Sequence, residues 1–218
     1  MAYKAAIFDL DGTLLNTLDD LHGSVNHTLE EYGFAPRGRQ EIRSFLGNGM
    51  QRLIHLSLPD EGIDPQLEAQ VLADFKKYYA HHSAERTAPY PQITQLLEVL
   101  SGEGVLRGVV SNKGDFAVQD LIAEYFPGLF NIAVGEMEGI RRKPAPDTVL
   151  KVMDRLGVSA EESVYIGDSE VDIQTAANVG CDCVAVSWGF RDRDQLVADG
   201  AKVIADNTEE LAEAILLY

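Results

Sequence analysis

The sequence predicts an α/β protein with a doubly wound parallel sheet and an inserted group of helices. Short apolar segments alternate with amphipathic segments of helical spacing from residue 93 to the end of the 218-residue chain. Such alternation is typical of a parallel sheet with helical crossovers. A similar apolar segment stands at residues 5–8, and only helical periodicity is found between it and the others. We therefore expect one strand of the sheet to precede the inserted helices.

The first predicted strand, residues 5–8, runs directly into acidic residues. Asp9 and Asp11 follow it, and the turn formers Gly12 and Thr13 come next. Open α/β sheets bind ligands at the carboxyl ends of their strands. Two carboxylates held close together share a proton or bind a divalent cation through oxygen ligands. The alternative is an Asx turn that only ends the strand.

Residues 16–84 are predicted to form a helical bundle. Apolar residues at helical spacing indicate four helices, within Leu18 to Tyr32, Ile42 to Leu46, Met50 to Leu56 and Leu67 to Tyr79. An insertion leaves a folded domain and returns to it at neighbouring points. We therefore expect a core domain formed by residues 1–15 and 85–218, and a second domain formed by residues 16–84.

The remainder of the chain supplies the other strands and helices of the core. Further strands are predicted at 105–110, 132–134, 163–166, 183–186 and 203–204. Helices are predicted at 93–100, 116–126 and 146–156, between Asp168 and Gly180, and at 208–217. Strands separated by helices imply right-handed crossovers.

Ser111 and Lys143 are polar residues at places where chemistry is expected. The Ser111 hydroxyl and the amides of Asn112 and Lys113, at a predicted helix start, resemble a phosphate-binding arrangement. The alternative is an N-cap serine. Lys143 precedes Pro144 in a loop that prolines stiffen, which would fix the direction of its side chain. A lone loop lysine is otherwise a solvated charge.

Asp168 and Asp172 repeat the pattern of acids after a strand. They stand four residues apart in Gly167-Asp168-Ser169-Glu170-Val171-Asp172, so they share a face if a helix starts there. Acids in a first helical turn are also ordinary partners of the helix dipole. Capping alone, however, is a poor explanation for four polar strand ends in one sheet.

The overall charge limits the classes of partner. A formal net charge of −17 leaves no basic stripe for nucleic acid. An anionic substrate would need a locally positive pocket. No apolar run is long enough to span a membrane, and the first strand begins too early for a signal peptide, so we expect a cytoplasmic protein. Cys181 and Cys183 fit neither a redox pair nor a zinc site and are interpreted as core residues.

Taken together, the motifs resemble those of the haloacid dehalogenase superfamily. They are DLDGTL at 9–14, Ser111 after an apolar strand, Lys143 before Pro144, and GDSEVD at 167–172. The similarity covers nearly the whole chain, and the closest subgroup is the phosphoglycolate phosphatase-like hydrolases. It implies a Rossmann-like core with an α-helical cap inserted after the first motif. Halide-removing members lack the second acid, whereas Asp11 is present here.

The resemblance implies a role for each matching residue. Asp9 would attack phosphorus and form an aspartyl-phosphate. Asp11 would protonate the leaving alcohol and then deprotonate the attacking water. Ser111, Asn112 and Lys143 would bind the phosphoryl oxygens, and Lys143 would also screen the charge of the nucleophile.

The same resemblance implies Mg²⁺ as the cofactor. Its ligands would be the Asp9 carboxylate, the backbone carbonyl of Asp11, and Asp168. Asp172 would support either Lys143 or a metal-bound water, and Thr13 would support the first motif.

In the helical region, Asn48 and Arg52 are candidate substrate-binding residues. A Gly-Asn-Gly turn at 47–49 allows close approach of the backbone to a ligand, and Arg52 could bind a carboxylate. The alternative is a helix C-cap at Gly47 and an exposed arginine.

The expected function is Mg²⁺-dependent hydrolysis of a small phosphomonoester similar to 2-phosphoglycolate. The alternatives are a pyrophosphatase or nucleotidase, a β-phosphoglucomutase-like mutase, and a non-catalytic protein that binds a phosphorylated metabolite. The expected partner is a small phosphorylated metabolite, without nucleic acid or membrane, and the expected state is a monomer or homodimer.

Overall fold

The computed structural model describes residues 3–59 and 62–217 and divides the chain into two compact units. The core unit comprises Met1–Leu15 and Pro89–Tyr218, and the helical unit comprises Asn16–Ala88. The sequence analysis places the second boundary four residues earlier, between residues 84 and 85.

The core unit contains a parallel sheet of six strands. They are β1 (Ala5–Phe8), β4 (Leu106–Gly114), β5 (Ile132–Glu136), β6 (Ser163–Gly167), β7 (Asp182–Val186) and β8 (Val203–Ala205). The strand order is β5-β4-β1-β6-β7-β8, and every neighbouring pair is parallel. Since the chain extends from β1 first to one side and then to the other, the order reverses around β1, where open α/β sheets bind ligands. The fold class predicted from the sequence is confirmed.

In the described residues of the core unit, six helices flank this sheet. They are α5 (Ile93–Gly102), α6 (Asp115–Tyr125), α7 (Asp147–Leu156), α8 (Glu170–Val179), α9 (Arg193–Ala198) and α10 (Thr208–Leu216). The sequence analysis does not anticipate α9, because a six-residue helix with one buried residue, Leu196, is too short to show a period.

Both faces of the sheet are buried because successive side chains of a strand point to opposite sides. Phe8, Val109 and Ile166 pack on one side with residues of α5 and α10. Ile7 and Tyr165 pack on the other side with residues of α7 and α8. This explains why the central strands are continuously apolar in sequence.

Residues 16–59 and 62–88, the described part of the helical unit, form four helices, as the periodicity predicts. They are α1 (Leu18–Glu31), α2 (Arg39–Phe45), α3 (Gly49–Ser57) and α4 (Pro65–His82). Two short strands, β2 (Leu15–Asn16) and β3 (Ala88–Pro89), form a separate two-stranded sheet where the chain passes between the units. In the described parts of the chain, no helix has the length and apolar character needed to cross a membrane.

Asp20 connects the two ends of the helical unit. Its buried carboxylate accepts hydrogen bonds from the backbone amides of Arg86 and Thr87 at 3.0 and 2.8 Å, and from the Thr87 hydroxyl at 2.8 Å. The first helix therefore holds the segment that ends the unit.

The predicted helix start at Asn112 and Lys113 is wrong. Both residues belong to β4, which continues to Gly114, and α6 begins at Asp115. A register shift between Val110 and Gly114 keeps β4 paired with β5, so sheet pairing extends past the expected end of the strand. Ser111 therefore lies within a strand and does not cap a helix.

The two cysteines are partly buried against the core cluster that contains Tyr165 of β6 and Ala176 of α8. Cys183 lies in β7, whereas Cys181 immediately precedes that strand. Burial raises the pKa of the Cys181 thiol to about 11 and raises that of Cys183 further. Both are therefore thiols at neutral pH.

We expect both cysteines to react slowly with a thiol reagent. With a pKa of about 11, only about one Cys181 thiol in a thousand is ionised at pH 8. Labelling of the native protein should be at least about 100-fold slower than labelling of the urea-unfolded protein. Ellman's reagent followed by stopped flow measures both rates, and equally fast labelling of the native protein would contradict the burial described.

Candidate active site

The sheet order brings the sequence-predicted residues of three strands together. Pairing aligns Phe8 with both Val109 and Ile166. Asp9, Ser111 and Asp168 therefore lie at the same edge of the sheet, although they are far apart in sequence.

Lys143 lies at the centre of this edge and is 4% exposed. Its Nζ is 2.7 Å from Oδ1 of Asp9, and it donates hydrogen bonds to Oδ1 of Asp172 at 2.8 Å and to the Tyr165 hydroxyl at 2.9 Å. An ammonium group has three donors. Each of the three therefore has a partner in this structure.

The backbone of Lys143 is fixed by Asn112. The Asn112 Oδ1 accepts a hydrogen bond from the Lys143 amide at 2.9 Å, and the Asn112 Nδ2 donates one to the Lys143 carbonyl at 3.1 Å. The side chain of Asn112 thus connects the end of β4 to the lysine loop. Its predicted contact with the substrate stays a prediction.

Asp172 holds Lys143 from the start of α8. Besides Lys143, its Oδ1 accepts a hydrogen bond from Tyr165 at 3.2 Å. Its Oδ2 accepts one from the Ser169 hydroxyl at 2.6 Å and from the amides of Ser169 and Asp168 at 3.2 Å each. Both oxygens are occupied, so Asp172 orients the lysine and caps the helix at once.

Asp168 is enclosed by two loops. Its Oδ2 accepts a hydrogen bond from the Phe190 amide at 2.6 Å, and its Oδ1 lies 3.4 Å from the Thr13 hydroxyl. Gly12, with φ at +90°, and Gly189 lie so close to Asp168 that a side chain at either position would collide with it. The glycines therefore leave the space that this carboxylate fills.

The site concentrates negative charge in a buried place. The carboxylates of Asp9, Asp168 and Asp172 have oxygens within 4.8 Å of one another. Burial raises the pKa of Asp9 to about 7, although Lys143 opposes this. Burial, and then Asp172 and Asp9, raise the pKa of Asp168 well above its usual value. Three acids against one ammonium create an excess of negative charge that favours a cation.

The donor set of the cluster fits a hard divalent cation. Only oxygens are offered, which suits Mg²⁺. Oδ2 of Asp9 has no donor among residues 3–59 and 62–217, and the two oxygens of Asp168 keep lone pairs beyond the bonds described. Asp9 and Asp168 are therefore available as metal ligands, whereas the oxygens of Asp172 are already occupied.

A second cation of the site, Lys113, lies beside Asp11 and Ser111. Lys113 Nζ lies 2.8 Å from Oδ1 of Asp11, and its side chain is 3% exposed. The Ser111 hydroxyl accepts a hydrogen bond from the Lys113 amide at 3.1 Å and is still able to donate one. The Asp11 side chain is 20% exposed, so this acid lies at the more open part of the site.

Sequence reasoning missed the side chains of Lys113 and Tyr165 and the loop that contains Phe190. A lysine after a strand and a tyrosine inside one carry no local signal of function. Their roles depend on the partners that the sheet order brings near. Asn48 is the N-cap of α3 and Arg52 is exposed on the same helix, both within the helical unit. Their predicted roles stay predictions.

Comparisons with known protein sequences agree with this geometry. The sequence model of haloacid dehalogenase-like hydrolases matches residues 6–186. A phosphoglycolate phosphatase of Pseudomonas putida is 32% identical, over 95% of this chain and 78% of its own length. A phosphoglycolate phosphatase of Neisseria meningitidis serogroup A is 30% identical, over 91% of this chain and 86% of its own length.

Solved structures give the same result for the fold. A provisionally assigned phosphoglycolate phosphatase from Lactobacillus delbrueckii subsp. bulgaricus is 42% identical, with a TM-score of 0.94 and 99% of both chains covered. CbbY from Rhodobacter sphaeroides, solved in complex with phosphate, is 26% identical, with a TM-score of 0.80 and 96% of both chains covered.

Replacing Asp172 with alanine should destabilise the core unit by about 1–3 kcal/mol, because buried donors of Ser169 and Lys143 lose their acceptor. Urea unfolding measures this change. Tyr165→Phe is the matched control, since it removes only one hydroxyl from the same network and should cost less. An Asp172→Ala protein as stable as wild type would contradict the arrangement.

Proposed function

The chain belongs to the haloacid dehalogenase-like hydrolase family and is a phosphoric monoester hydrolase, and we propose that it cleaves a small phosphomonoester through an aspartyl-phosphate on Asp9 with the help of Mg²⁺. The observation that carries this proposal is the contact of Lys143 with Asp9. A buried ammonium beside a carboxylate lowers the repulsion that an anionic phosphate ester would meet there. It also holds the carboxylate in one orientation.

In the first step an oxygen of Asp9 attacks phosphorus as the bond to the leaving alcohol breaks. The alcohol oxygen takes a proton from the carboxyl group of Asp11. The Ser111 hydroxyl donates a hydrogen bond to a phosphoryl oxygen, and Lys143 donates another by exchanging one of the three hydrogen bonds described above. Both bonds stabilise the charge that develops on the phosphoryl oxygens. The nucleophile and the acid are separate residues, so each can be held in the orientation that its own task needs.

In the second step water replaces Asp9. The water oxygen bonds to phosphorus, the bond between phosphorus and Asp9 breaks, and the water proton passes to Asp11. Phosphate is released, Asp9 is again a carboxylate and Asp11 is again an acid. Two easier displacements thus replace one difficult hydrolysis.

Asp9, Asp168 and the backbone carbonyl of Asp11 would hold Mg²⁺. A bound magnesium ion supplies positive charge that stabilises the anionic phosphoryl group and the carboxylates around it. The raised pKa values of Asp9 and Asp168 support the need for such a charge, because buried carboxylates without a cation resist ionisation.

We take the substrate to be a small phosphorylated acid such as 2-phosphoglycolate. The names of the relatives from Pseudomonas putida and Neisseria meningitidis support this choice. Arg52 and Asn48 are the proposed contacts for the substrate carboxylate, and the helical unit is the proposed cap. We also propose that the protein is cytoplasmic and that it is a monomer or a homodimer.

Phosphate release should require both Mg²⁺ and Asp9. We expect release from a panel of phosphoglycolate, sugar phosphates, nucleotides and pyrophosphate to be highest for phosphoglycolate and to stop when EDTA is added. Asp9→Asn should reduce the rate to background. An Asp9→Asn variant as active as wild type would exclude the aspartyl-phosphate. A preference for pyrophosphate or nucleotides would identify a pyrophosphatase or a nucleotidase. Conversion of a sugar phosphate without release would indicate a mutase.

Arg52→Ala should raise the KM for phosphoglycolate by roughly 10- to 100-fold, because one charged hydrogen bond contributes about 1.5–3 kcal/mol. The KM for a phosphate ester without a carboxylate should stay within about twofold of wild type. Arg39→Ala, which removes another exposed arginine of the helical unit, is the matched control. If both arginine variants behave alike, Arg52 does not recognise the carboxylate.

A further inference from the structure

Lys113 is a second buried cation at the candidate active site, beside Lys143, and the proposed reaction steps do not use its side chain. It is joined to Asp11 by a hydrogen bond of 2.8 Å between residues 102 positions apart in the chain. Removing an ammonium from water costs several kcal/mol. Packing alone therefore does not account for a lysine at this position.

The two lysines of the site contact different acids. Lys143 lies against Asp9 and Asp172, whereas Lys113 lies against Asp11. Lys113 is 3% exposed but the Asp11 side chain is 20% exposed. The lysine of the pair is thus buried, whereas the carboxylate is partly open to solvent. A reacting group can approach Asp11 without displacing Lys113.

The hydrogen bond distinguishes the two oxygens of Asp11. Oδ1 accepts from Lys113, and no donor within residues 3–59 and 62–217 is bonded to Oδ2. A carboxyl group that donates a proton does so from one oxygen while the other only accepts. An ammonium group has no acceptor, so Oδ1 cannot carry a proton toward Lys113.

We propose that Lys113 is a positioning residue that assigns the acid and base chemistry of Asp11 to Oδ2. This rests on the proposed function. Lys113 holds Oδ1 and so limits rotation of the carboxyl group. Oδ2 gives its proton to the leaving oxygen as the P–O bond breaks and regains one from the attacking water, while Lys113 keeps all of its protons.

The test compares variants that keep or remove the ammonium charge. Lys113→Met removes the charge and keeps an unbranched side chain that suits a buried position. Lys113→Arg keeps the charge. Lys4→Met is the matched control, because it removes an exposed lysine from the ion pair with Glu162 in the same unit, with the same change in net charge.

We expect Lys113→Met to slow alcohol release in the first turnover about 10- to 100-fold for esters with poor leaving groups and less than about threefold for a nitrophenyl ester, since only poor leaving groups need the acid. The first turnover is the correct readout, because the later hydrolysis of the aspartyl-phosphate is common to all esters. Lys113→Arg should recover most of the lost rate, and Lys4→Met should match wild type. An equal loss of the first-turnover rate for all esters, or a change in KM alone, would overturn the proposal.

A double-mutant cycle with Asp11→Asn tests whether Lys113 acts through Asp11. The single Asp11 variant should lose on the order of 10²–10⁴-fold in kcat for poor leaving groups. Adding Lys113→Met should then change little, because the residue through which it acts is already lost. Losses that multiply would show an independent role and refute the inference.

Thermal melting separates a folding defect from a kinetic one. If Lys113→Met does not fold, Lys113→Gln takes its place in the same comparison, with the same expected pattern. The proposed function fails if wild type releases no phosphate or if Asp9→Asn remains active. The inference fails alone if wild type and Asp9→Asn behave as expected and the Lys113 variants match wild type.

Discussion

The site depends on one ion-paired ammonium group buried among carboxylates. Lys143 contacts Asp9 and Asp172. The three residues lie at the end of β1, in the loop before α7 and in the first turn of α8. Burial disfavours the charge of Lys143, yet the attraction of Asp172 and Asp9 outweighs it and raises the pKa of Lys143 well above its usual value. The lysine is therefore a permanent cation. The contacts of Lys143 with Asp9 and Asp172 therefore connect the end of β1, the lysine loop and the first turn of α8, and they orient the proposed nucleophile.

A division of labour follows from this arrangement. Asp9 and Asp11 are neighbours in sequence, but each has its own lysine. Lys143, the partner of Asp9, is almost completely enclosed by protein groups, which suits the proposed role of Asp9 as nucleophile. The Asp11 side chain is 20% exposed, which suits the proposed exchange of protons with alcohol and water. Two chemically identical side chains thus have surroundings that fit two different proposed tasks.

Much of this could be read from the sequence, because strands, helices and acidic strand ends leave local patterns. The order of Asp9, Ser111, Lys143 and Asp168 was sufficient to place a site at one edge of a parallel sheet. The end of β4 was not predictable, since pairing with β5 carries the strand through Asn112 and Lys113 against a helix-start pattern. The partnership of Lys113 with Asp11 was also hidden, because it depends on which strands are adjacent, and strand order leaves no local trace in sequence.

The bond network of Asp20 has an evolutionary consequence. It ties the first helix of the helical unit to the segment at Arg86 and Thr87 that ends it, so the unit closes on itself before the chain returns to the sheet. A module that secures its own ends can be lengthened, shortened or exchanged by recombination without disturbing the strand ends that carry the chemistry.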